Sequence, residues 1–458
     1  MTARSETAQL VGHLRRETSP ERVVTSGAAY EESRTLWNGA VGRRPGVVLR
    51  CADVGDVQTG VRAAREFGVP LSVRGGGHGW TGDAVADGGL VLDLIGMRRV
   101  TVDADAGTAD VEGGARAMDV ALAAEAHGMV AVTGTSGSVG IVGFTLAGGY
   151  GPLAGRFGLG VDNVVAVDIV LADGTAITTD ADHEPELLWA LRGGGGNFGV
   201  VTSIRVRVHP LAGGVADPTV LAGTVMYPWE QATSVLKGLA ERQPHVPDEL
   251  TVQCGVVTGP AGDPLVFVAP TWCGDVAAGR VAVAPFSRLG DPVFDGVRPT
   301  RMSETLAGTD VLFPAGRHVE IRARNVPALT DGVIDAFVAG GEALVSPFAA
   351  VSTHVLHGAA ARVPVGDTAF GVRTPHLLVE NISVWAPGED DAAHRRWARD
   401  MSESLAAEAL PGGYVNLLGA DEHDQIAHAF GPNRGRLLSA KRTYDPDDIF
   451  HATPLPRG

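Results

Sequence analysis

Apolar and polar positions along the first 210 residues follow two different periods, in short alternating blocks. Apolar residues spaced three and four apart predict helices at 53–68 and 115–128. The first of these helices is expected to begin at a capping Asp53 and to end at Gly68. Alternation with period two predicts strands, and the Asp-Gly pair within 162–180 predicts a hairpin turn there. Further strands are predicted at 45–51, 69–73 and 88–94, with a second hairpin at 99–114.

The pattern changes after Pro210, where proline becomes more frequent and the apolar runs become longer. Long strands alternate with helices from there on, which predicts a second α+β domain at 211–411. The remaining segment, 412–458, is short for a domain, so we expect it to return and complete a first domain at 1–210. The strands of the second domain are predicted at 250–259, 264–270 and 376–386, and its main helices at 327–341 and 391–410.

Composition and charge exclude several classes of partner. The net charge of −16 disfavours nucleic acid and anionic membrane surfaces, both of which need basic patches. The N-terminus has no apolar signal-peptide core, and the uncharged stretch 129–155 is too rich in glycine to span a membrane. Three distant cysteines form neither a disulfide framework nor a metal pair, and no other residue set has metal-ligand spacing. We therefore expect a cytoplasmic protein without a metal.

Two glycine-rich loops are the main candidates for ligand binding. Both 77–82 and 194–199 match the dinucleotide pattern G-x-G-x-x-G, but neither follows a strand and opens a helix, so a Rossmann domain is excluded. Consecutive glycines at 75–77 and around 134–140 can instead turn backbone N–H groups toward an anion. Arg74 could add charge-assisted hydrogen bonds to phosphate. Two such loops suit a long diphosphate ligand, whereas ordinary tight turns are the alternative explanation.

Five stretches of the chain together resemble the berberine-bridge-enzyme-like family of FAD-linked oxidases, in the order typical of that family. They are RGGGHGWTG (74–82), GTSGSVGIVGFTLAGGYGPLAGRFGLGVDNV (134–164), ELLWALRGGGGNFGVVT (186–202), GGYVNLLG (412–419) and FGPNRGRLLSAKRTYDPDDIF (430–450). The resemblance implies an α+β fold with a PCMH-type FAD-binding domain of two α+β subdomains. It also implies an α+β substrate domain whose antiparallel sheet covers the flavin.

The resemblance further implies a covalent FAD, joined to the protein through His78. Many family members carry a second tether, a cysteine, at the position of Ser136, so a single histidyl link is expected here. Val139 occupies the position that controls oxygen access in the family, and valine there favours an oxidase. The residues that the resemblance places at the cofactor are Arg74, Gly75, Gly76, Gly77, His78, Gly79, Gly134, Ser136, Gly137, Ser138, Val139, Gly140, Gly143, Gly199, Val201, Tyr414 and Asn416.

Tyr150 and Tyr414 correspond to tyrosines that lie near the substrate in related enzymes. An unperturbed tyrosine is a poor base near neutral pH, so one of them should be activated by a neighbour. Asn416 is expected to contact the flavin or to orient Tyr414. On the second domain, alternation places His318 with Glu320 on one strand face and His376 with Glu380 on another, and either face could cover the flavin.

The function expected from these features is oxidation of a small-molecule alcohol or activated C–H bond, with molecular oxygen as the electron acceptor. A secondary metabolite is the favoured type of substrate, because the composition suggests a GC-rich bacterial source. Oxygenation of a polyketide-type substrate and oxidation of a carbohydrate are the enzymatic alternatives. A flavin-binding protein without turnover is disfavoured by the two tyrosines and by Val139. Neither the substrate nor the oligomeric state follows from the sequence.

Overall fold

The computed structural model describes residues 3–456, which form helices and strands along the whole length of the chain. The strands are β1 (Val23–Val24), β2 (Val47–Arg50), β3 (Leu71–Arg74), β4 (Leu90–Asp93), β5 (Val100–Asp103), β6 (Thr108–Glu112), β7 (Met129–Val130), β8 (Val164–Val170), β9 (Ala176–Thr179), β10 (Val200–Arg207), β11 (His209–Pro210), β12 (Val220–Ala222), β13 (Val225–Pro228), β14 (Leu250–Thr258), β15 (Pro264–Trp272), β16 (Phe294–Asp295), β17 (Arg298–Thr300), β18 (His318–Val326), β19 (Ala350–Leu356) and β20 (His376–Trp385).

The α-helices within residues 3–456 alternate with these strands and with short turns. They are α1 (Ala3–Glu17), α2 (Ala28–Arg34), α3 (Val54–Phe67), α4 (Ala117–Glu125), α5 (Ile141–Leu146), α6 (Ala154–Phe157), α7 (Pro185–Gly194), α8 (Ala232–Arg242), α9 (Val276–Val283), α10 (Met302–Leu312), α11 (Asp331–Glu342), α12 (Gly358–Arg362), α13 (Asp391–Ser404), α14 (His423–His428) and α15 (Arg434–Tyr444). None of them is long and apolar enough to cross a membrane.

The first half of the chain contains two larger sheets and the two-stranded pair of β7 and β11, which confirms the α+β class expected from the sequence. One has the order β1-β2-β4-β3, with parallel pairing of β4 to both β2 and β3. The other is antiparallel, in the order β5-β6-β10-β8-β9. The hairpin of β8 and β9 turns at the expected Asp-Gly pair, and Gly174 there has a positive φ of 79°.

The first predicted helix boundaries are confirmed by the capping geometry of α3. The Asp53 side chain accepts a hydrogen bond from the backbone N–H of Asp56, which satisfies one of the free donors of the first turn. At the other end, Gly68 adopts the left-handed conformation, with φ 62° and ψ 34°. A side chain would be strained in that conformation, which is why glycine ends the helix.

A single antiparallel sheet dominates residues 220–385, in the order β16-β13-β15-β14-β19-β20-β18, with β12 and β17 at its side. Its two faces have different neighbours. Val333, Phe337 and Trp397 of helices α11 and α13 pack in one apolar cluster with Leu377 and Val379 of β20. Because side chains alternate along a strand, the residues between these positions face the opposite way, toward the first half of the chain.

The C-terminal residues return to the first half of the chain through buried polar contacts. Lys441 of α15 is buried, and its Nζ donates to the carbonyls of Asn197 and Phe450 and pairs with Asp445 at 2.5 Å. The Asn197 side chain in turn donates to Thr453. These bonds hold the segment that carries Tyr414 against the first half of the chain.

Candidate active site

The two glycine loops predicted from the sequence lie back to back. A Cβ added at Gly76 would stand 2.3 Å from the Gly140 nitrogen, and one added at Gly140 would stand 2.5 Å from the Gly76 nitrogen. Both distances are far below van der Waals contact, so neither loop can carry a side chain at this point. The sequence explains the glycines of these loops by backbone N–H groups that turn toward an anion. The structure gives a different reason, which is that each backbone packs directly on the other.

The remaining glycines of the candidate set fall into two groups. Gly75, Gly134, Gly137 and Gly199 are each crowded by neighbouring atoms within 3.0 Å of an added Cβ, and Gly77 has a positive φ of 66°. By contrast, a Cβ at Gly79 or Gly143 would meet nothing within 4 Å among the described residues. The crowded glycines therefore shape the loops, whereas Gly79 and Gly143 border open space.

His78 follows the first loop and presents an unsatisfied nitrogen. Its ring stacks on Trp37, with the ring centroids 4.3 Å apart, and its Nε2 atom is buried without a hydrogen-bond partner among the described residues. Burial lowers the pKa of His78 to about 4, although the charge of Asp310 acts in the opposite direction. The imidazole is therefore neutral near pH 7, and a neutral imidazole nitrogen without a proton is a nucleophile.

Two arginines lie near the loops and differ in their pairing. Arg74 is buried and bonds Asp93 at 3.1 Å and the Thr35 carbonyl at 3.3 Å, so its charge is already compensated. Arg116 is next to Gly140, with which it forms an isolated β-bridge, and its Nε is buried without a partner among the described residues. Burial lowers the pKa of Arg116, with further contributions from Arg98 and Arg74. Asp119 and Asp310 act in the opposite direction, so the charge of Arg116 is partly compensated. Because its buried Nε has no hydrogen-bond partner among the described residues, Arg116 is a candidate ligand for an anion.

The second loop is bonded to a carboxylate from helix α10. Asp310 Oδ1 accepts hydrogen bonds from the Ser136 hydroxyl at 2.5 Å, the Ser138 hydroxyl at 3.0 Å and the Ser138 backbone N–H at 3.3 Å. One backbone N–H of this loop therefore bonds a carboxylate of the chain itself. The binding of a diphosphate by this loop stays a prediction. The neighbouring Val139 is also fixed, because its carbonyl accepts from the Ala117 N–H at 2.9 Å. Val201 lies on β10, in the apolar core beneath the loops.

The two candidate tyrosines come together although 264 positions separate them in the sequence. Their rings meet edge to face with centroids 4.9 Å apart, and both side chains are buried. Tyr414 Oη accepts from the Gly149 backbone N–H at 3.0 Å and from the Asn416 amide at 2.8 Å. The Tyr150 hydroxyl is 2.7 Å from His376 Nε2 on β20. Asn416 thus orients Tyr414, which was one of its two expected roles.

Neither tyrosine is activated as a base in this arrangement. Burial raises the pKa of Tyr414 to about 12, although the bonds from Gly149 and Asn416 act to lower it. Burial also raises the pKa of Tyr150 well above its usual value, and the neighbouring Tyr414 adds to the increase. The expectation that a neighbour activates one of the phenols is therefore wrong for the chain without ligand, and both remain protonated at neutral pH.

The face of the large sheet that contacts the tyrosines carries a row of neighbouring polar side chains. Glu380 Oε1 is 3.3 Å from His354 Nε2, and His354 Nδ1 is 3.0 Å from the Gln253 amide. Glu380 and His376 do lie on one face of β20, as alternation predicts, and Tyr150 fixes that face as the one toward the site. The negative charge of Glu380 is also one of the causes that raise the pKa of Tyr414.

Glu320 lies on the opposite face and has no access to this site. Its carboxylate bonds Arg322 at 2.6 Å and Arg395 of α13 at 2.6 Å, and Arg322 continues to Asp421. His318 shares this face and contacts Asp391 of α13. Of the two faces left open by the sequence, the structure therefore selects the one with Glu380.

Comparison with known proteins gives a consistent result for both ends of the chain. A family model described as a FAD binding domain matches residues 45–180, and one described as berberine and berberine like matches residues 413–454. The FAD-linked oxidoreductase aurO of Gibberella zeae is 30% identical over 435 residues, which are 93% of this chain and 83% of that protein. The chain belongs to the berberine-bridge-enzyme-like family of FAD-linked oxidoreductases.

Other relatives of this flavoenzyme agree in sequence and in structure. The (R)-6-hydroxynicotine oxidase of Paenarthrobacter nicotinovorans is 30% identical over 464 residues, covering 94% of this chain and 95% of that protein. The crystal structure of 6-hydroxy-D-nicotine oxidase from Arthrobacter nicotinovorans superposes with a TM-score of 0.83 and 27% identity, over 95% of this chain and 97% of that one. A BBE-like protein of Physcomitrella patens has the same fold, with a TM-score of 0.86 at 23% identity.

The residues present fit the FAD that this family binds. Two buried nitrogen atoms, one of His78 and one of Arg116, lie on or next to the two loops and have no hydrogen-bond partner among the described residues. Open space borders Gly79 and Gly143. Each of these features is costly or unexplained in the chain alone and is accounted for by an anionic cofactor with an apolar ring. The protein is an FAD-dependent oxidoreductase.

Several residues of this FAD site were missed by the sequence interpretation. Trp37, Arg116, Asp310, His354 and Gln253 lie outside the recognised motifs, and no local pattern marks them. Strand alternation could have linked His354 to the site, because register pairs it with Leu378 on the same face as Glu380. The others depend on contacts between distant segments, which a single sequence does not reveal.

Gly76→Val is expected to disturb both loops and to reduce flavin loading. The new Cβ would overlap the Gly140 backbone, so the loops must separate, at a cost of about 1–3 kcal/mol. Flavin-to-protein absorbance ratio and melting temperature measure the two effects. Gly42→Val is the matched control, since Gly42 is exposed and has nothing within 4 Å of its Cβ position. Full flavin occupancy in Gly76→Val would show that the cofactor does not need this loop contact.

Proposed function

We propose that this flavoenzyme is an oxidase that removes hydride from a small-molecule alcohol or activated C–H bond and transfers the electrons to molecular oxygen. The observation that carries the proposal is the convergence of Tyr150, Tyr414 and Glu380, because the two rings meet and the charge of Glu380 acts on Tyr414. Val139 supports oxygen as the acceptor through its position in the family motif.

The cofactor itself would be held by both loops and by His78. His78 would form a single covalent link, because its Nε2 is neutral, buried and unpartnered. Ser136 has no thiol for a second link, and its hydroxyl is already bonded to Asp310. Arg116 would compensate part of the negative charge of the cofactor. Bound FAD supplies the acceptor for the hydride.

The polar groups of the site would bind the substrate oxygen and accept the substrate proton. Tyr414 has both oxygen lone pairs engaged by N–H donors, so it would donate its proton to the oxygen of the substrate. Tyr150 would help to hold the same group from the other side. Since both phenols are protonated at neutral pH, the carboxylate of Glu380 is the better acceptor for the substrate proton. His354, beside Glu380, would hold this carboxylate in place.

Oxidation of a carbohydrate is the second candidate function. A xylooligosaccharide oxidase of Thermothelomyces thermophilus is 27% identical over 454 residues. The polar groups Gln253, His354 and Glu380 on the sheet face also suit a substrate with several hydroxyl groups. Both candidates involve the same flavin chemistry and differ only in the substrate.

A screen for hydrogen peroxide production tests the proposal directly. Purified holoenzyme is incubated with phenolic alcohols, polyketide-type alcohols and oligosaccharides in air, and the flavin spectrum is then followed without oxygen. We expect one class to bleach the flavin anaerobically and to yield one peroxide per product in air. Bleaching without peroxide formation in air would identify a dehydrogenase instead. A flavin that no member of the three classes reduces would contradict an oxidase of these substrates.

Tyr414→Phe is expected to slow anaerobic flavin reduction by about 10²–10³-fold, the usual effect of losing one preorganised donor to a reacting oxygen. Tyr150→Phe should cost about tenfold or less, since it removes one neutral hydrogen bond. Stopped-flow measurement with the substrate found in the screen distinguishes the two. Tyr444→Phe is the control, because Tyr444 bonds Glu184 away from the site. Equal rates for Tyr414→Phe and wild type would remove Tyr414 from the reaction.

A further inference from the structure

The ring of His376 is held in one protonation form by its neighbours. Its Nδ1 is 2.7 Å from the carbonyl oxygen of Thr374, which can only accept, so Nδ1 carries the proton. Burial lowers the pKa of His376 to about 4, so the ring carries no second proton at neutral pH. Its Nε2 therefore has a lone pair and can only accept. The hydrogen bond to Tyr150 must accordingly run from the tyrosine hydroxyl to the histidine.

The hydroxyl of Tyr414 accepts hydrogen bonds from its protein neighbours, whereas the hydroxyl of Tyr150 donates one. It accepts from a backbone N–H, whose direction is certain, and from the Asn416 amide. The amide nitrogen of Asn416 is assigned independently, because the same atom also faces the carbonyl of Phe144 at 3.3 Å, which can only accept. With both lone pairs of Tyr414 engaged, its own proton has no acceptor among the described residues. That proton is available to a ligand.

We infer that His376 is a positioning residue that fixes the hydrogen-bond polarity of the site, so that Tyr150 only accepts from the substrate and Tyr414 only donates to it. The inference rests on the proposed function and narrows its substrate class. Before reaction, a hydroxyl group satisfies both tyrosines with a single oxygen, since it donates a hydrogen bond to Tyr150 and accepts one from Tyr414. Its proton passes to the Glu380 carboxylate only when the hydride leaves. The preferred substrate is therefore an alcohol, with the hydroxyl on the carbon that is oxidised.

Ethers, ketones and ammonium groups each satisfy only one of the two tyrosines. An ether or a ketone has no proton for Tyr150, and an ammonium group has no lone pair for Tyr414. Each mismatch leaves a buried polar group unpaired, which is more costly than the mean value of a hydrogen bond. Among activated C–H compounds, those without a hydroxyl at the reacting carbon are therefore disfavoured.

The tautomer can be measured without any substrate. Nitrogen NMR of holoenzyme with isotope-labelled histidine, in which the signal lost in His376→Gln identifies His376, reports the protonation of each ring nitrogen. We expect Nδ1 protonated and Nε2 unprotonated near pH 7, with the Nε2 signal shifted in Tyr150→Phe. An Nε2-protonated or doubly protonated ring would overturn the inference. This result is independent of turnover, so it can fail while flavin reduction and peroxide formation remain as proposed.

Binding of a matched pair of probes tests the consequence for ligands. Phe370 and Leu378 pack beside the tyrosines, so we choose benzyl alcohol and benzyl methyl ether, in which a methyl group replaces the hydroxyl proton. Titration followed by the flavin absorbance should show the alcohol binding about 2- to 10-fold more tightly, the equivalent of one neutral hydrogen bond. Tyr150→Phe should abolish the difference. Equal affinities in the wild-type holoenzyme would contradict the proposed polarity.

Two substitutions of His376 distinguish its effect on hydrogen-bond direction from its effect on side-chain packing. The amide oxygen of Gln in His376→Gln can still accept the Tyr150 proton, so the preference for the alcohol should persist. His376→Leu removes the acceptor and frees the Tyr150 hydroxyl to donate, so the ether should bind as tightly as the alcohol. If both variants retain the preference equally, His376 does not set it. Covalent flavin content, measured in parallel, confirms that both variants remain folded around the cofactor.

Discussion

Glu380→Gln is expected to slow anaerobic flavin reduction by about 10²–10⁴-fold, the range typical of losing a general base. The substitution keeps the size of the side chain but removes the negative charge that lies 3.3 Å from His354 Nε2. Because burial keeps Tyr150 and Tyr414 protonated, no phenolate is available at neutral pH to replace the carboxylate. Stopped-flow measurement of flavin bleaching with the alcohol substrate gives the rate directly.

Glu320→Gln is the matched control on the same sheet. Glu320 faces helix α13, where its carboxylate is enclosed by Arg322 and Arg395. Removing its charge weakens the ion pairs with Arg322 and Arg395, although Asp421 and Glu422 still pair with Arg322 and Asp391 still pairs with Arg395. We expect a lower melting temperature but an unchanged rate constant per bound flavin. A Glu380→Gln variant that reduces flavin at the wild-type rate would show that the substrate proton goes elsewhere, with His376 through Tyr150 as the next acceptor to examine.

His78→Ala should abolish covalent flavin attachment entirely. The Nε2 of His78 is buried without a hydrogen-bond partner among the described residues and is the proposed point of attachment, and Ser136 has no thiol to replace it. Acid-precipitated wild-type protein should remain yellow, and mass spectrometry of a digest should find the flavin on the peptide that contains His78. The precipitate of His78→Ala should be colourless. The native variant can still bind FAD reversibly, because the loops and Arg116 remain.

Ser136→Ala is the control for the tether. It removes the hydroxyl bonded to Asp310 but leaves His78 unchanged, so the covalent flavin should persist. A flavin peptide at any other position, or a yellow precipitate from His78→Ala, would refute the single histidyl link. Loss of the tether in Ser136→Ala would instead show that Asp310 must hold this loop before the bond can form.

The motifs of this chain predicted the fold and the cofactor because they are local. Asp53 and Gly68 mark the ends of α3 by interactions within one turn of the helix, and the Asp-Gly pair determines a hairpin by backbone conformation alone. The RGGGH (74–78) and YVN (414–416) motifs are likewise only a few residues long, so the resemblance to the family can be identified from the sequence. Strand alternation also correctly assigned His376 and Glu380 to one face, since period two is an intrinsic property of a strand.

The sequence by itself thus determined the α+β class, the FAD and the identity of the two tyrosines. Only the tertiary structure decided which sheet face covers the two tyrosines and that burial raises the pKa values of both phenols. Only the tertiary structure also showed that the backbones of Gly76 and Gly140 pack on each other and leave no room for side chains. It also supplied Trp37, Arg116 and Asp310. The physical reason is the same in each case. Burial, hydrogen-bond direction and backbone contact depend on which distant segments of the chain lie together, and neither the composition nor the periodicity of a single sequence predicts those contacts.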